Sequence, residues 1–401
     1  MRRFLILLLL AFAFQPAAAH AQSSLDIGVN GVGLSLGNSR AWTGLRINWS
    51  DRNVERVNGL NVTLWKAREN PAFDLNGIAF GIYGPRAARF RGAAIGVGGV
   101  IAEESVAGLA IAGLGTVSQG TMYGLGLAGL GVVAQGDMAG LFIAGLGLVG
   151  QGNMAGIHLA GLGTVAQGSM AGLNMAGLGL VAEDDMTGIN VAGFGTVSQG
   201  SMRGINLAGL GLVTQGDLVG INVGGIAAVA QGAMRWLSVG GLATVAQGGI
   251  EGLSVSGLAV VSTGAIRGIA VAGAAVVGVE GIDGIAIGGA GVVAEAARLR
   301  GAAISIGRTD AREGRGLLVG GYRVKIPDIV GLALSVAMTR SENMRGFALG
   351  AYNEVRGVQR GITIGIFNRA EELHGIQIGL LNYAGNNEGV LRWLPLINAH
   401  F

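Results

Sequence analysis

Residues 188–203 read GINVAGFGTVSQGSMR, and residues 204–219 follow with GINLAGLGLVTQGDLV. With the opening Gly as offset zero, the same unit opens at Gly108, Gly124, Gly140, Gly156 and Gly172, and later at Gly220, Gly252, Gly268 and Gly284. Trp236 takes the one opener in between. A second Gly column at offset +5 runs unbroken from Gly113 to Gly289. Self-similarity at a fixed period marks units that stack in equivalent surroundings.

The flanks carry a looser form of the unit, opening at Gly44, Gly59, Gly77 and Gly92 upstream and from Gly301 to Gly375 downstream. Alternation is plain there: Leu45, Ile47 and Trp49 against Arg46, Asn48 and Ser50, and Ile362, Ile364 and Ile366 against Thr363 and Gly365. Period two with β-branched residues specifies strands. Gly, at 77 of 401 residues, would also cost a helix about 1 kcal/mol per position relative to Ala. The fold class is therefore all-β. Organisation follows the repeat: irregular units over 22–107, regular sixteen-residue units over 108–299, and irregular units again over 300–401. The first segment, 1–21, reads as a secretory signal peptide, with Arg2 and Arg3 before an apolar run and Ala19-His20-Ala21 at its end.

Composition excludes several functions. Cys is absent, so there is neither a disulfide framework nor a thiolate metal site. The formal charge of +3 falls to +1 without Arg2 and Arg3, which gives no basis for nucleic-acid binding. Between residues 106 and 294 there are eleven charged residues, all at offsets +11 to +15. Each unit is thus an uncharged segment of eleven residues with one polar corner, typically QGDM, QGNM or QGSM.

Two architectures fit this pattern. In a β-solenoid, the apolar residues at +1, +3, +6 and +14 are expected to fill the core. The small residues at +2 and +4 (Ala, Gly, Asn, Ser) then form an outer face. Offset +7, Gly from Gly115 to Gly211 and Asn at Asn353, Asn368 and Asn382, reads as a second bend with positive φ, although Ala227 and Ala243 share that offset. The alternative is an up-and-down outer-membrane β-barrel, since eleven uncharged residues match a membrane-spanning strand. The solenoid is preferred. Two-residue turns in a sixteen-residue period would alternate the facing of each offset in a barrel, and its wide lumen would be lined by Leu.

The late units GITIGIFNRAEELHGIQIGLLNYAGNN (361–387) and the ending LPLINAHF (394–401) resemble the Gly-Leu-x-Ile-Gly-Leu-x-Asn surface-repeat proteins of leptospires and other Gram-negative bacteria. The match is closest over 346–401, and the central units depart from it, with Gly where that family has Asn at +7. The resemblance implies export and a surface or outer-membrane setting rather than an activity.

No catalytic, cofactor-binding or metal-ligating residues are assigned, and the chain is expected not to be an enzyme. His158, His374 and His400 share no metal-ligand spacing, and His158 reads as a solvated strand residue. Glu183, Asp184 and Asp185 form one acidic corner, read as a solvated turn. Gly124-Leu125-Gly126-Leu127-Ala128-Gly129 spells GxGxxG by accident of the repeat and lacks the strand-then-helix context of a dinucleotide site. Trp42, Trp49, Trp65 and Trp393 near the ends read as capping residues, and Trp236 as a local wedge or contact. The expected function is that of an exported structural or interaction protein of the cell surface or outer membrane, associating with itself laterally or with the membrane. A pore-forming barrel is the alternative, and an adhesin a third reading.

Overall fold

The computed structural model describes residues 24–401 except Glu69 and Ala296, so the expected signal peptide lies outside the described residues. The chain divides into two compact units, one ending at Gly126 and the other spanning Leu127–Phe401.

In the second unit, Met154–Ala160 runs parallel to Met170–Ala176, with Gly156 beside Gly172 and Ile157 beside Leu173. Gly163–Ala166 lies likewise beside Gly179–Ala182. Each strand of the regular coils therefore pairs in parallel with its equivalent sixteen residues later, and the fold is a β-solenoid. This overturns the barrel, which requires antiparallel neighbours joined by hairpins. The bends are bonded from coil to coil as well: Gly161 donates to the Ala144 carbonyl at 3.1 Å, Leu162 to Leu146 at 2.7 Å and Gln167 to Gly150 at 2.9 Å.

Each coil bends three times, around offsets +6, +12 and zero, leaving three short sides. In the coil opened by Gly188, the buried residues are Asn190, Ala192, Thr196, Ser198 and Met202. Those five correspond to offsets +2, +4, +8, +10 and +14. The expected facing is thus inverted at +1, +3 and +6 and kept at +14: Ile189 and Phe194 are exposed and Val191 faces outward half-buried, and Val197 at +9 is exposed as well. The small residues at +2 and +4 do not form an outer face but line the interior. The reason is space. A sixteen-residue loop with three bends encloses one long side chain at +14 and one of up to Leu size at +8 (Leu148, Leu180, Leu212), with mostly small residues at +4 and +10. The further Leu, Ile and Val at +1, +3, +6 and +9 are left outside.

The second expected bend is also corrected. Gly163, Gly179, Gly195 and Gly211 have no positive φ and lie in strands. Asn353 and Asn368 stack not on that column but on Thr339, in the buried +8 column. The fifteen-residue coils are one residue shorter, so counting offsets from the opener misassigns them. Positive φ belongs instead to the openers, such as Gly172 at 109° and Gly204 at 117°. A Cβ on Gly204 would also lie 2.1 Å from the Gly188 carbonyl oxygen.

The second unit ends in Trp393–His400, antiparallel to Phe367–Ala384. Pro395 is tolerated there because an edge strand leaves one side unpaired. Phe401 is exposed.

In the first unit, Ala41–Asn48, Arg56–Thr63, Asp74–Gly81 and Arg86–Gly96 stack in the same parallel manner. The interior of the first two coils is more polar still, while the next two bury Leu75, Ala79, Phe90 and Ala94. Arg46 is fully buried against Asp51, with Asn61 Oδ1 at 2.6 Å and Asn38 Oδ1 at 2.8 Å. Such a charge is tolerated only because it is paired and hydrogen-bonded. The stack begins with an antiparallel hairpin, Ser24–Val29 with Val32–Gly37. Its Asn30-Gly31 turn has φ of 53° and 75°, the positive pair a tight hairpin turn demands.

Candidate interaction surface

The interior of the second unit is held by side-chain ladders, which explain the residue types in each column. Asn174 donates to Asn190 Oδ1 at 2.9 Å, Asn190 to Asn206 at 2.8 Å, and Asn206 to Asn222 at 2.8 Å. A buried amide needs both donor and acceptor satisfied, and in-register stacking supplies one of each per coil. His158 heads this ladder, with Nδ1 2.8 Å from Asn174 Oδ1 and Phe142 stacked on its ring at 5.9 Å. It is therefore fully buried, correcting the solvated reading, and its Nε2 has no partner. Burial holds its pKa below the ordinary value despite the Asn174 bond.

The polar corner has a structural task of its own. Asp137 Oδ1 accepts the Asn153 amide at 2.8 Å, and Asn153 Oδ1 the Ser169 amide at 2.9 Å. Asp185 Oδ1 accepts from Ser201 at 2.7 Å, and Asp217 Oδ1 from Ala233 at 2.9 Å. Asp, Asn and Ser at +13 thus cap a backbone N–H of the next coil. This places the acidic corner: Asp185 is spent on the Ser201 amide and on Arg203, 2.9 Å away, while Asp184 takes the Ser198 hydroxyl on its carbonyl at 2.6 Å. Among the described residues no group of three His, Asp or Glu side chains is placed to hold a metal ion. The strand holding Gly124 leads into another strand rather than a helix, which gives a pyrophosphate no helix N-terminus.

The exterior is where the molecule can act. On one side of each coil lie +1 and +3, on another +9, and at the bend joining them +6. In the second unit these are Leu, Ile and Val in almost every regular coil, with Leu162 and Leu210 each 47% exposed and Phe194 57%. The two apolar sides meet in a convex edge. All ionic side chains of the regular coils lie along the opposite edge. There Asp217, Arg235, Glu251 and Arg267 alternate in sign, at 2.9, 3.6 and 2.8 Å between successive pairs. Each such exposed pair contributes little, roughly 0–1 kcal/mol. Their value lies in keeping one edge wet.

Two boundaries separate the wet edge from the apolar sides. One is the +11 column of exposed Gln, including Gln151, Gln167 and Gln199. The other is the rim of the wet edge, the column immediately before each opener, which carries Arg203, Arg235, Arg267, Arg300, Arg345 and Arg360 together with Glu251 and Asp283. Beside it stands Trp236, 74% exposed at φ 84°, where the equivalent residue of neighbouring coils is Gly. A bulky side chain at positive φ is a genuine outlier, costing roughly 1–3 kcal/mol. Nothing in the fold requires it.

In the first unit the bend after each strand carries aromatic rings. Trp49 stacks on Trp65 at 5.9 Å, and Trp65 meets Tyr83 at 6.2 Å, with Lys66 Nζ 6.0 Å from the Tyr83 ring. All three rings are more than half exposed. Capping describes Trp42, which is buried and donates to the Gly33 carbonyl at 3.0 Å. Trp393 caps in part, stacked on Phe367. It does not describe Trp49 and Trp65.

The facing of the columns was missed in the sequence. The alternation at Arg46, Asn48 and Gln377 is the same whichever set points inward, and only the closed coil decides. Comparison with known protein families, with curated proteins and with solved structures finds no match for this chain.

Proposed function

We propose that this protein is an exported, non-enzymatic structural or interaction protein of the cell surface or outer membrane, working through the apolar exterior of its coils. The observation that carries the reading is the inverted facing: Asn, Ser, Thr and Ala take much of the interior of the second unit, beside the buried columns at +8 and +14, while Leu, Ile and Val line two outer sides. A water-soluble monomer rarely exposes apolar patches beyond a few hundred Å². Outward apolar columns repeated over many coils exceed that and call for a covering partner. The leader-like residues 2–21 and the resemblance of the late units to bacterial surface-repeat proteins support export. Expression with the leader intact, followed by cell fractionation, tests this reading. The processed chain is expected with the membranes and released by mild detergent. Recovery of unprocessed chain in the soluble cytoplasmic fraction would overturn it.

An adhesin is favoured by one separate observation, the exposed Trp49–Trp65–Tyr83 row beside Lys66 in the first unit.

A further inference from the structure

We propose that the second unit seats its convex apolar edge in the hydrocarbon of an anionic lipid leaflet, with its Arg-rich boundary at the level of the phosphates. The proposal rests on the reading above and names the partner of that surface.

Three features select lipid over a second copy. The first is shape. The apolar columns occupy two sides and the bend between them, and a flat protein–protein contact would cover one side and leave the other wet. A fluid phase envelops both. The second is the backbone. Hydrocarbon accepts a chain only when its N–H and C=O groups are satisfied internally. Along these sides the strands are paired on both flanks, and even the bend is bonded, as at Gly161, Leu162 and Gly163. Among the described residues the pairing runs unbroken through the regular coils.

The third feature is the boundary. Arg345 lies directly beside Arg360; Arg300 and Arg315 are adjacent too, but Asp283 stands beside Arg300 and Glu313 pairs with Arg315. Like charges in register repel, and among the described residues no carboxylate lies within ion-pair distance of Arg345 or Arg360. Phosphates at the headgroup level would supply the missing anions, while the aliphatic stems of Arg lie along the apolar side. Trp236 stands on the same line, its ring in the position an interfacial Trp takes between acyl chains and water. That gives a reason for an exposed ring at a backbone conformation that favours Gly. The regular units thus behave as an amphipathic prism lying in the interface, the β counterpart of an interfacial helix.

The absence of Cys makes the test direct, since single cysteines can be placed at will. The chain, purified in mild detergent, is diluted into vesicles of phosphatidylcholine with or without phosphatidylglycerol, and binding is read by co-flotation. An environment-sensitive fluorophore is attached in turn at Leu178→Cys, on the convex edge, and at Ser169→Cys, on the wet edge. The proposal expects flotation with the anionic vesicles and a blue shift at position 178 but not at 169. Leu162→Glu with Leu178→Glu should weaken binding at least ~tenfold, since charge is costly in hydrocarbon. Arg345→Gln and Arg360→Gln should each weaken it about fivefold, on anionic vesicles only. Both kinds of change are at exposed positions and should leave the far-UV circular dichroism spectrum unaltered.

Flotation with no blue shift at 178 and no effect of the Leu variants would overturn the proposal in favour of surface electrostatics. Failure to float, with self-association that the same Leu variants abolish, would assign the apolar sides to a second copy. That result sinks the lipid reading and leaves the interaction surface standing. A monomer that stays in solution without detergent and ignores vesicles would sink both.

Discussion

Gly204→Ala and Gly211→Ala make the same chemical change seven residues apart, and the structure assigns them opposite outcomes. Gly204 is an opener at φ 117°, and an added Cβ would lie 2.1 Å from the Gly188 carbonyl oxygen. An L-residue held at such φ costs roughly 1–3 kcal/mol, and the backbone collision must be relieved by shifting two coils. Trp236 shows that the chain can admit a side chain in this column by moving to φ 84°, so the coil distorts rather than unfolds. A loss of about 2–4 kcal/mol is expected from the strain together with the weakened ladder bonds. Gly211 lies in the strand Gly211–Thr214 without positive φ, and its added Cβ would sit 3.5 Å from the Ala227 oxygen, an ordinary contact. Ala227 and Ala243 already occupy the equivalent place. There the lost freedom of the unfolded chain should stabilise the protein by about 0.4–1 kcal/mol. Urea unfolding of both variants in mild detergent, followed by far-UV circular dichroism, separates the two by some 3 kcal/mol. Equal shifts in the same direction would refute the assignment of the bend to offset zero.

Three further expectations follow from the interior and the Trp236 position. Asn190→Ala strands the Asn174 amide and the Asn206 carbonyl and should cost about 2–4 kcal/mol. By contrast Ser254→Ala, which removes a buried hydroxyl without a partner, should be neutral or stabilising; equal losses in urea melts would discredit the ladder. His158 is held neutral by burial, so its folded pKa lies below the unfolded value near 6.5. As pH falls through the unfolded value the unfolded chain takes up the proton first, and stability drops by up to about 1.4 kcal/mol per unit until the folded pKa is reached. The difference in urea midpoint between the parent and His158→Asn should therefore move in favour of the variant between pH 7.5 and 5, and a constant difference would mean the ring is not buried. Trp236→Gly should keep the fold and relieve the strained φ, while weakening vesicle flotation. Unchanged flotation would remove Trp236 from the boundary.

The repeat, its period, its strands and its single wet corner are all legible in residues 188–219, because each depends on local chemistry. Gly recurs where the backbone must bend or approach closely, β-branched residues alternate, and Asp, Asn or Ser recurs where a backbone N–H needs a cap. The parallel stacking follows as well, since a fixed period carries each offset to the same place in the next coil. Facing could not be read in the same way. Ile189 and Asn190 alternate identically whether one or the other points inward, and the rule that apolar residues go inside chose wrongly. Only the closed coil decides, because three bends in sixteen residues leave room for one large column at +14 and one of up to Leu size at +8, and the remaining Leu, Ile and Val columns have to face outward. The same closure buried His158 and Arg46, carried Asn353 from an apparent bend into a buried ladder, and set Trp236 on the line between the charged edge and the apolar sides. Sequence determined what repeats; the volume enclosed by each coil determined which side of the wall each residue occupies, and with it the surface on which the proposed function rests.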